Sequence, residues 1–149
     1  MRIALAQINT TVGDFSANRA KITTFARQAA DRGAEIVLFP ELSLTGYPPR
    51  DLLERTSFLD HVDASIDRVV AFSRTYPKIG ILFGTPQRHK GNHGRGLRNE
   101  ALLVCGGEVV GRAGKRIDND AIVAIVERTG FSVRGLDSEL EKILLYVGD

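Results

Sequence analysis

A glutamate stands where a short apolar segment of this chain runs into a loop. The segment EIVLF, residues 35–39, is followed by Pro40, by Glu41 and then by a stretch rich in Gly, Pro and Tyr. An apolar run of this length between turn-forming residues predicts a buried strand, and ligand chemistry in α/β sheets lies beyond the carboxyl ends of the strands. Burial at such a place raises the pKa of a carboxyl group, which suits it to general base catalysis. Glu41 is therefore a candidate catalytic base, and a residue that only caps the next turn is the alternative.

Cys105 is the single cysteine of the chain. It stands just before Gly106 and Gly107, at the end of an apolar segment that predicts a strand. A thiol becomes a nucleophile beside a base or a positive charge, whereas a free cysteine inside a strand usually behaves as a small buried apolar residue. We therefore expect Cys105 to be buried and inert.

The segment RHKGNHGR, residues 88–95, is basic and holds two histidines. Glycine and asparagine between His89 and His93 argue against a metal-binding helix, and no third ligand is evident, so no metal site is expected. A nucleic-acid contact would need interleaved aromatic residues and a basic face elsewhere, which the sequence lacks. The pattern predicts a solvated loop from Thr85 to Arg98.

Length and composition limit the classes of protein to which the chain can belong. Its 149 residues suffice for one domain, and its apolar and charged fractions are ordinary for a globular protein. A net charge of +2 gives no reason to expect binding to nucleic acid or a membrane, and no apolar stretch is long enough to span a bilayer. The N-terminus lacks the pattern of a signal peptide, and a single cysteine fits a reducing compartment, so we expect a cytoplasmic protein.

Hydrophobic periodicity predicts alternating strands and helices. Strands are expected at residues 2–8, 35–39, 79–83, 99–104 and 108–112, with helices from Asp14 or Ser16 to about Asp31 and from Ser57 to Tyr76, and a helical turn at 51–53. Gly106 and Gly107 are a hairpin signal between the last two strands. This order predicts an α/β fold with a mixed sheet and helices on one face.

Three segments, taken together, resemble a known family. They are the opening MRIALAQINTTVGDFSANRAKI, the segment FPELSLTGYPPRDLL around Glu41, and NEALLVCGGEVVGRAGKR at residues 99–116. In this order they are similar to motifs of the nitrilase, or carbon–nitrogen hydrolase, superfamily, and most similar to those of the glutaminase domain of glutamine-dependent NAD synthetases. The resemblance covers residues 1 to about 116, and it implies one half of an α-β-β-α sandwich.

The resemblance also implies a Glu–Lys–Cys triad that hydrolyses the amide of glutamine through a cysteine thioester. Glu41 matches the catalytic base, Lys115 the lysine that stabilises the oxyanion, and Tyr47 a position near the substrate pocket; a surface lysine and a turn-packing tyrosine are the alternatives. No cysteine follows Lys115, so the chain is expected to be inactive alone. No cofactor is implied for the amidase chemistry, because ATP belongs to the synthetase domain of the relatives.

Residues 117–149 differ in character from the part that precedes them. Acidic residues outnumber basic ones here, whereas the reverse holds up to Arg116. Residues 121–126 fit a helix or a strand, and a final helix is expected from about Asp137, with Leu140, Ile143, Leu144 and Val147 on one side. We expect this tail to pack on the same domain and a homo-oligomer to cover the remaining apolar sheet face. The alternative to a glutaminase is a truncated or chimeric α/β module that only self-associates.

Overall fold

The computed structural model describes residues 1–88 and 96–113. The predictions for His89, His93 and Lys115 and for the tail 117–149 lie outside these described residues. In chain order the elements are β1 (Ile3–Leu5), α1 (Phe15–Asp31), β2 (Ile36–Leu38), a short 3₁₀ helix (Arg50–Glu54), α2 (Thr56–Ser73), β3 (Gly80–Arg88), β4 (Leu97–Cys105) and β5 (Glu108–Ala113). Within the two described ranges, no helix has the length and apolar character needed to cross a membrane.

The five strands form one mixed sheet in the order β1-β2-β3-β4-β5. β1, β2 and β3 are mutually parallel, as their helical crossover connections require, and β4 and β5 continue the sheet antiparallel. Gly106 and Gly107 join β4 to β5 with φ angles of 58° and 90°, the left-handed conformations that a two-residue hairpin turn demands. The predicted mixed α/β fold is confirmed.

Both helices pack on one face of this sheet. The Asp14 side chain caps α1 by accepting a hydrogen bond from the Ala17 amide at 2.9 Å, as the sequence predicts. The apolar sides of α1 and α2 share one core with alternate residues of the strands. Its large, fully buried members include Ile22, Val37, Val62, Val69, Ile79, Ile81, Phe83, Leu102 and Val104.

The other face of the sheet carries a row of four leucines. Leu5, Leu38, Leu82 and Leu103 are consecutive partners in the strand register, one on each of β1 to β4. Because side chains alternate between the two faces of a strand, this leucine row lies opposite the helices. Leu5 at its edge is 76% exposed. Neither α1 nor α2 covers the leucine row, since both belong to the core on the opposite face.

The predicted solvated loop from Thr85 to Arg98 is wrong at both of its ends. β3 continues to Arg88 and β4 begins at Leu97, and the pairing runs from Thr85–Glu100 to Arg88–Leu97. Arg88 ties the end of β3 to α2, because its guanidinium contacts the carboxylates of Asp60 and Asp63. The hydrogen bond to Asp60 is the main reason why the pKa of Arg88 is raised. Residues 85–88 form part of the strand because they pair with residues 97–100 and because Arg88 contacts α2. These contacts are not evident from the local sequence.

Candidate active site

Glu41 lies just beyond the carboxyl end of β2, where the sequence predicts a catalytic base. The backbone amide of Phe39 still bonds to the Leu82 carbonyl of β3 at 2.9 Å, and the chain then leaves the sheet. Residues 40–46 are called the Glu41 loop below. In this loop Leu42, Ser43, Leu44 and Thr45 are buried, whereas Glu41 is exposed. The expected burial of Glu41 is therefore not found, because the loop turns the residues after it inward instead.

Gly84 of β3 allows the Glu41 loop to lie directly on the sheet. A Cβ atom at Gly84 would stand 2.7 Å from the Leu42 nitrogen and 3.2 Å from the Glu41 Cα, so no side chain fits there without moving the loop backbone. Immediately after Glu41 the chain reverses through Leu42, whose φ is 49°. A non-glycine residue in this left-handed region is uncommon, and such strain tends to occur at functional sites.

Asn18 of α1 holds the Glu41 loop against the loop that follows β1. Its Nδ2 donates to the carbonyls of Thr11 and Leu44 at 2.8 and 3.2 Å, and its Oδ1 accepts from the Thr11 amide at 2.9 Å. The amide of Gly13 also bonds to the Thr45 carbonyl at 2.9 Å. Asn18 is completely buried. Through these hydrogen bonds, α1 and the loop that follows β1 anchor the Glu41 loop.

Asn99 of β4 contacts the Glu41 carboxylate itself. Its Nδ2 donates a hydrogen bond of 2.6 Å to Glu41 Oε1 across 58 positions of sequence. Asn99 pairs with Pro86 of β3, two positions along from the pair formed by Gly84 and Ala101. The loop and this asparagine therefore meet on the face that also carries the leucine row.

The remaining predicted residues are placed as follows. Tyr47 directly follows the Glu41 loop and is 65% exposed. Lys115 lies outside the described residues, but β5 ends at Ala113, which pairs with Ala101, two residues from Asn99. The structure thus brings Asn99 to Glu41 and leaves the position of Lys115 as a prediction.

Cys105 is buried, as the sequence predicts, with its thiol donating to the Pro77 carbonyl at 3.3 Å. It stands six residues from Asn99 on β4, a separation of about 20 Å at the rise of a β-strand. Cys105 is therefore far from the carboxylate of Glu41. Within residues 1–88 and 96–113, no three His, Cys, Asp or Glu side chains cluster in a way that could hold a metal ion.

Asn99 is the residue of the site that the sequence reading missed. Its partner, Glu41, is 58 positions away in sequence and reaches it because the Glu41 loop lies against Gly84 of β3, the strand that pairs with β4. One signal was available in the sequence, since asparagine is depleted in strands and Asn99 is the first residue of the strand predicted at residues 99–104.

The sequence of this chain also matches a known protein family. The pattern of the family described as carbon-nitrogen hydrolase matches residues 2–129. The chain belongs to the carbon-nitrogen hydrolase family. The match passes beyond Arg116, where the motifs had indicated that the resemblance stops.

Among carbon-nitrogen hydrolase relatives, the glutamine-dependent NAD(+) synthetase of Synechocystis sp. is 41% identical over 110 residues, which are 72% of this chain and 19% of that protein. The enzyme of the same name from Mycobacterium tuberculosis is 37% identical over 112 residues, 74% of this chain and 16% of its own length. The chain thus spans less than a fifth of the length of these relatives.

Solved structures agree with this family assignment. The glutamine-dependent NAD+ synthetase of Acinetobacter baumannii, in complex with ADP, superimposes with a TM-score of 0.64 and 29% identity, over 76% of this chain and 20% of that one. An amidase from Nesterenkonia sp. has a TM-score of 0.65 and 31% identity, over 77% and 42%. A glutamate-to-leucine mutant of that amidase shows covalent addition of the acetamide moiety of fluoroacetamide at its active site cysteine.

Proposed function

We propose that this chain supplies the base-bearing part of a carbon–nitrogen hydrolase site of the glutaminase type, which hydrolyses the side-chain amide of glutamine. The observation that carries the proposal is the presentation of Glu41 on an anchored loop at the carboxyl edge of the sheet, with Asn99 on one carboxylate oxygen. The names of the relatives, which include glutamine-dependent synthetases and amidases, support the class of substrate.

Each residue has a distinct role in this proposal. Glu41 takes the proton of the attacking thiol, Lys115 stabilises the negative charge that develops on the amide oxygen, and Tyr47 contacts the substrate. The ammonia that is released would serve a synthetase, and ATP would bind there and not at Glu41. The single cysteine supports a cytoplasmic location.

A hybrid protein tests the role of Glu41. The matching 110 residues of the Synechocystis synthetase are replaced by those of this chain, and NAD formation is measured with glutamine or with added ammonia. We expect glutamine-dependent synthesis in the hybrid, and Glu41→Gln should lower its rate by about 10²–10⁴-fold, the usual contribution of a general base. Synthesis from added ammonia should not change, because it bypasses the hydrolysis.

Glu54→Gln is the matched control for this substitution. Glu54 is an exposed carboxylate on the short 3₁₀ helix, and its replacement makes the same change of charge. It should leave both rates unaltered. If Glu41→Gln has no more effect than Glu54→Gln, the proposed base is wrong.

The chain on its own should release no ammonia from glutamine. Its sole cysteine is buried and distant from Glu41, so no thioester can form within the described residues. Ammonia release that Cys105→Ala abolishes would contradict this placement of the thiol. The assay is a coupled measurement of ammonia with purified protein at high concentration.

A second candidate function rests on the leucine row. As a non-catalytic module, the chain would use this apolar face to bind a second copy of itself. Leu5, at 76% exposed, is the observation that favours it, whereas Leu38 and Leu82 are half-buried and Leu103 is buried.

A further inference from the structure

The contact between Asn99 and Glu41 indicates a role for Asn99 in the proposed function, on which this inference rests. We propose that Asn99 is the positioning residue of the catalytic base: its side-chain amide holds Glu41 Oε1 and leaves Oε2 as the oxygen that accepts the proton. The proposal concerns one hydrogen bond of 2.6 Å between two side chains that lie on different elements.

The chemistry of the two groups fixes the direction of this hydrogen bond. An ionised carboxylate can only accept, so Asn99 must present its NH₂ group to Glu41 and turn its carbonyl oxygen away. A hydrogen bond to a charged acceptor is shorter and stronger than one between neutral groups, in keeping with the distance of 2.6 Å. An aspartate of the same shape could not replace Asn99, because two carboxylates would then face each other.

The surroundings of Glu41 show why a positioning residue is needed. The backbone of the Glu41 loop is fixed from below by Asn18 and lies in contact with Gly84, but the Glu41 side chain itself is exposed. Among the described residues, Asn99 alone forms a hydrogen bond with its carboxylate. Without it, the carboxylate would sample several rotamers, and catalysis depends strongly on the geometry of the base.

Asn99 is itself well placed for this task. It stands on β4, a strand of nine residues, and pairs with Pro86 in an unbroken antiparallel register with β3. A group on a strand inside a sheet is held more accurately than one on a loop. The hydrogen bond therefore fixes the position of the Glu41 carboxylate, which lies on a loop, relative to the sheet.

The proton transfer follows from this arrangement. The nucleophile is a cysteine thiol contributed by the remainder of the hybrid enzyme and not Cys105. Its S–H bond breaks, an O–H bond forms at Glu41 Oε2, and the electron pair on sulfur forms a C–S bond with the amide carbon. When the C–N bond breaks, the leaving nitrogen takes this proton from Oε2 and departs as ammonia, which leaves the thioester. Asn99 keeps its hydrogen bond to Oε1 throughout, so it touches neither the substrate nor the transferred proton.

Nuclear magnetic resonance on the full chain tests the proposal without turnover. One Nδ2 proton of Asn99 should resonate downfield of other side-chain amide protons, and this shift should be lost in Glu41→Ala. In Asn99→Asp and Asn99→Ala, the order parameter of the Glu41 side chain should fall to that of exposed Glu54. Arg112→Gln, which alters an exposed residue of β5 that bonds to Gln87, should leave Glu41 ordered.

The outcomes separate this proposal from its alternatives. Disorder of the Glu41 side chain with unchanged amide shifts from Leu42 to Gly46 supports a positioning role. An ordered Glu41 in Asn99→Asp overturns it, and so does loss of order in the loop backbone, because Asn99 would then hold the loop and not the carboxylate. Each result is independent of hydrolysis, so failure of the proposed glutaminase activity appears only in the hybrid enzyme.

Discussion

Asn18 uses both ends of its side chain while completely buried, and through them two loops of different strands become one unit. Asn18 bonds to the Thr11 amide and to the carbonyls of Thr11 and Leu44, and the Thr11 carbonyl also accepts from the Asp14 amide at 3.1 Å. At the scale of single residues, the site thus depends on a buried asparagine for its backbone and, as we propose, on an exposed one for its carboxylate.

Asn18→Leu should destabilise the fold. The leucine is similar in size but offers no hydrogen bond, so the buried Leu44 carbonyl loses its Asn18 donor. A buried backbone group that is left unsatisfied costs about 1–3 kcal/mol of unfolding free energy. Urea denaturation measures the change. Asn9→Leu is the matched control, since Asn9 is exposed and accepts from Lys21 through its backbone carbonyl. Equal midpoints for the two variants would refute the anchoring role.

The place of Glu41 was predictable, whereas its partners were not. An apolar run that ends at a proline locates the carboxyl end of a strand from local sequence alone. Asn18 and Asn99 matter only because α1 and β4 bring them to the loop from distant parts of the chain. The exposure of Glu41 was also missed, since local pattern does not show which side chains of a loop turn inward.

At the scale of elements, β3 determines how closely the Glu41 loop packs on the sheet. Gly84 stands where the loop crosses, and its missing side chain is the space that the backbone of Leu42 occupies. Gly84 lies within β3 (Gly80–Arg88), one residue beyond the strand predicted at residues 79–83, and it contributes to the site because it has no side chain.

Gly84→Ala should cost about 1–3 kcal/mol, as overpacking in a close-fitting site does. The added methyl group would meet backbone atoms at 2.7 and 3.2 Å, which cannot move without shifting the loop. Gly80→Ala on the same strand is the control: its nearest atoms are side-chain carbons of Leu103 and Ile36, at 3.1 and 3.5 Å, which can rotate away. A thermal midpoint for Gly84→Ala as high as that for Gly80→Ala would contradict this.

Element types were predicted better than element ends. α1 begins after Asp14 and ends at Asp31 as expected, because its cap and its periodicity are local signals. The first strand was predicted at residues 2–8 but is only Ile3–Leu5, since β2 offers it three paired residues. The second helix was expected to reach Tyr76 but ends at Ser73.

At the scale of the whole molecule, the sheet has one covered face and one face marked by the leucine row. The row crosses four strands in register, and the Glu41 loop lies on the same side through its contact with Gly84. Any layer that covers the leucines would also form a wall beside the exposed carboxylate. We therefore expect such a layer to contribute to the surroundings of Glu41.

If the chain self-associates through the leucine row, as in the second candidate function, Leu5→Glu should weaken this association, with little effect on folding because Leu5 is 76% exposed. Burial of a leucine contributes about 1.5–3 kcal/mol, and 1.4 kcal/mol is a factor of ten, so the dimer constant should weaken by at least about tenfold. Analytical ultracentrifugation measures it. Phe25→Glu alters an exposed apolar residue of α1, on the helical side, and should leave association intact. A wild-type chain that is strictly monomeric would exclude the dimer.

The sheet changes from parallel to antiparallel pairing at β3, and its two parts are joined by loops of different lengths. β4 and β5 meet through two glycines, so their pairing closes a very short loop. Ile3 must find Ile36, and Ile36 must find Gly80, each across a whole helix. Since closing longer loops costs more entropy before any contact stabilises them, we expect the antiparallel strands to pair before the parallel ones. We therefore expect Glu41, which follows a parallel strand, to reach Asn99 after β4 and β5 have paired.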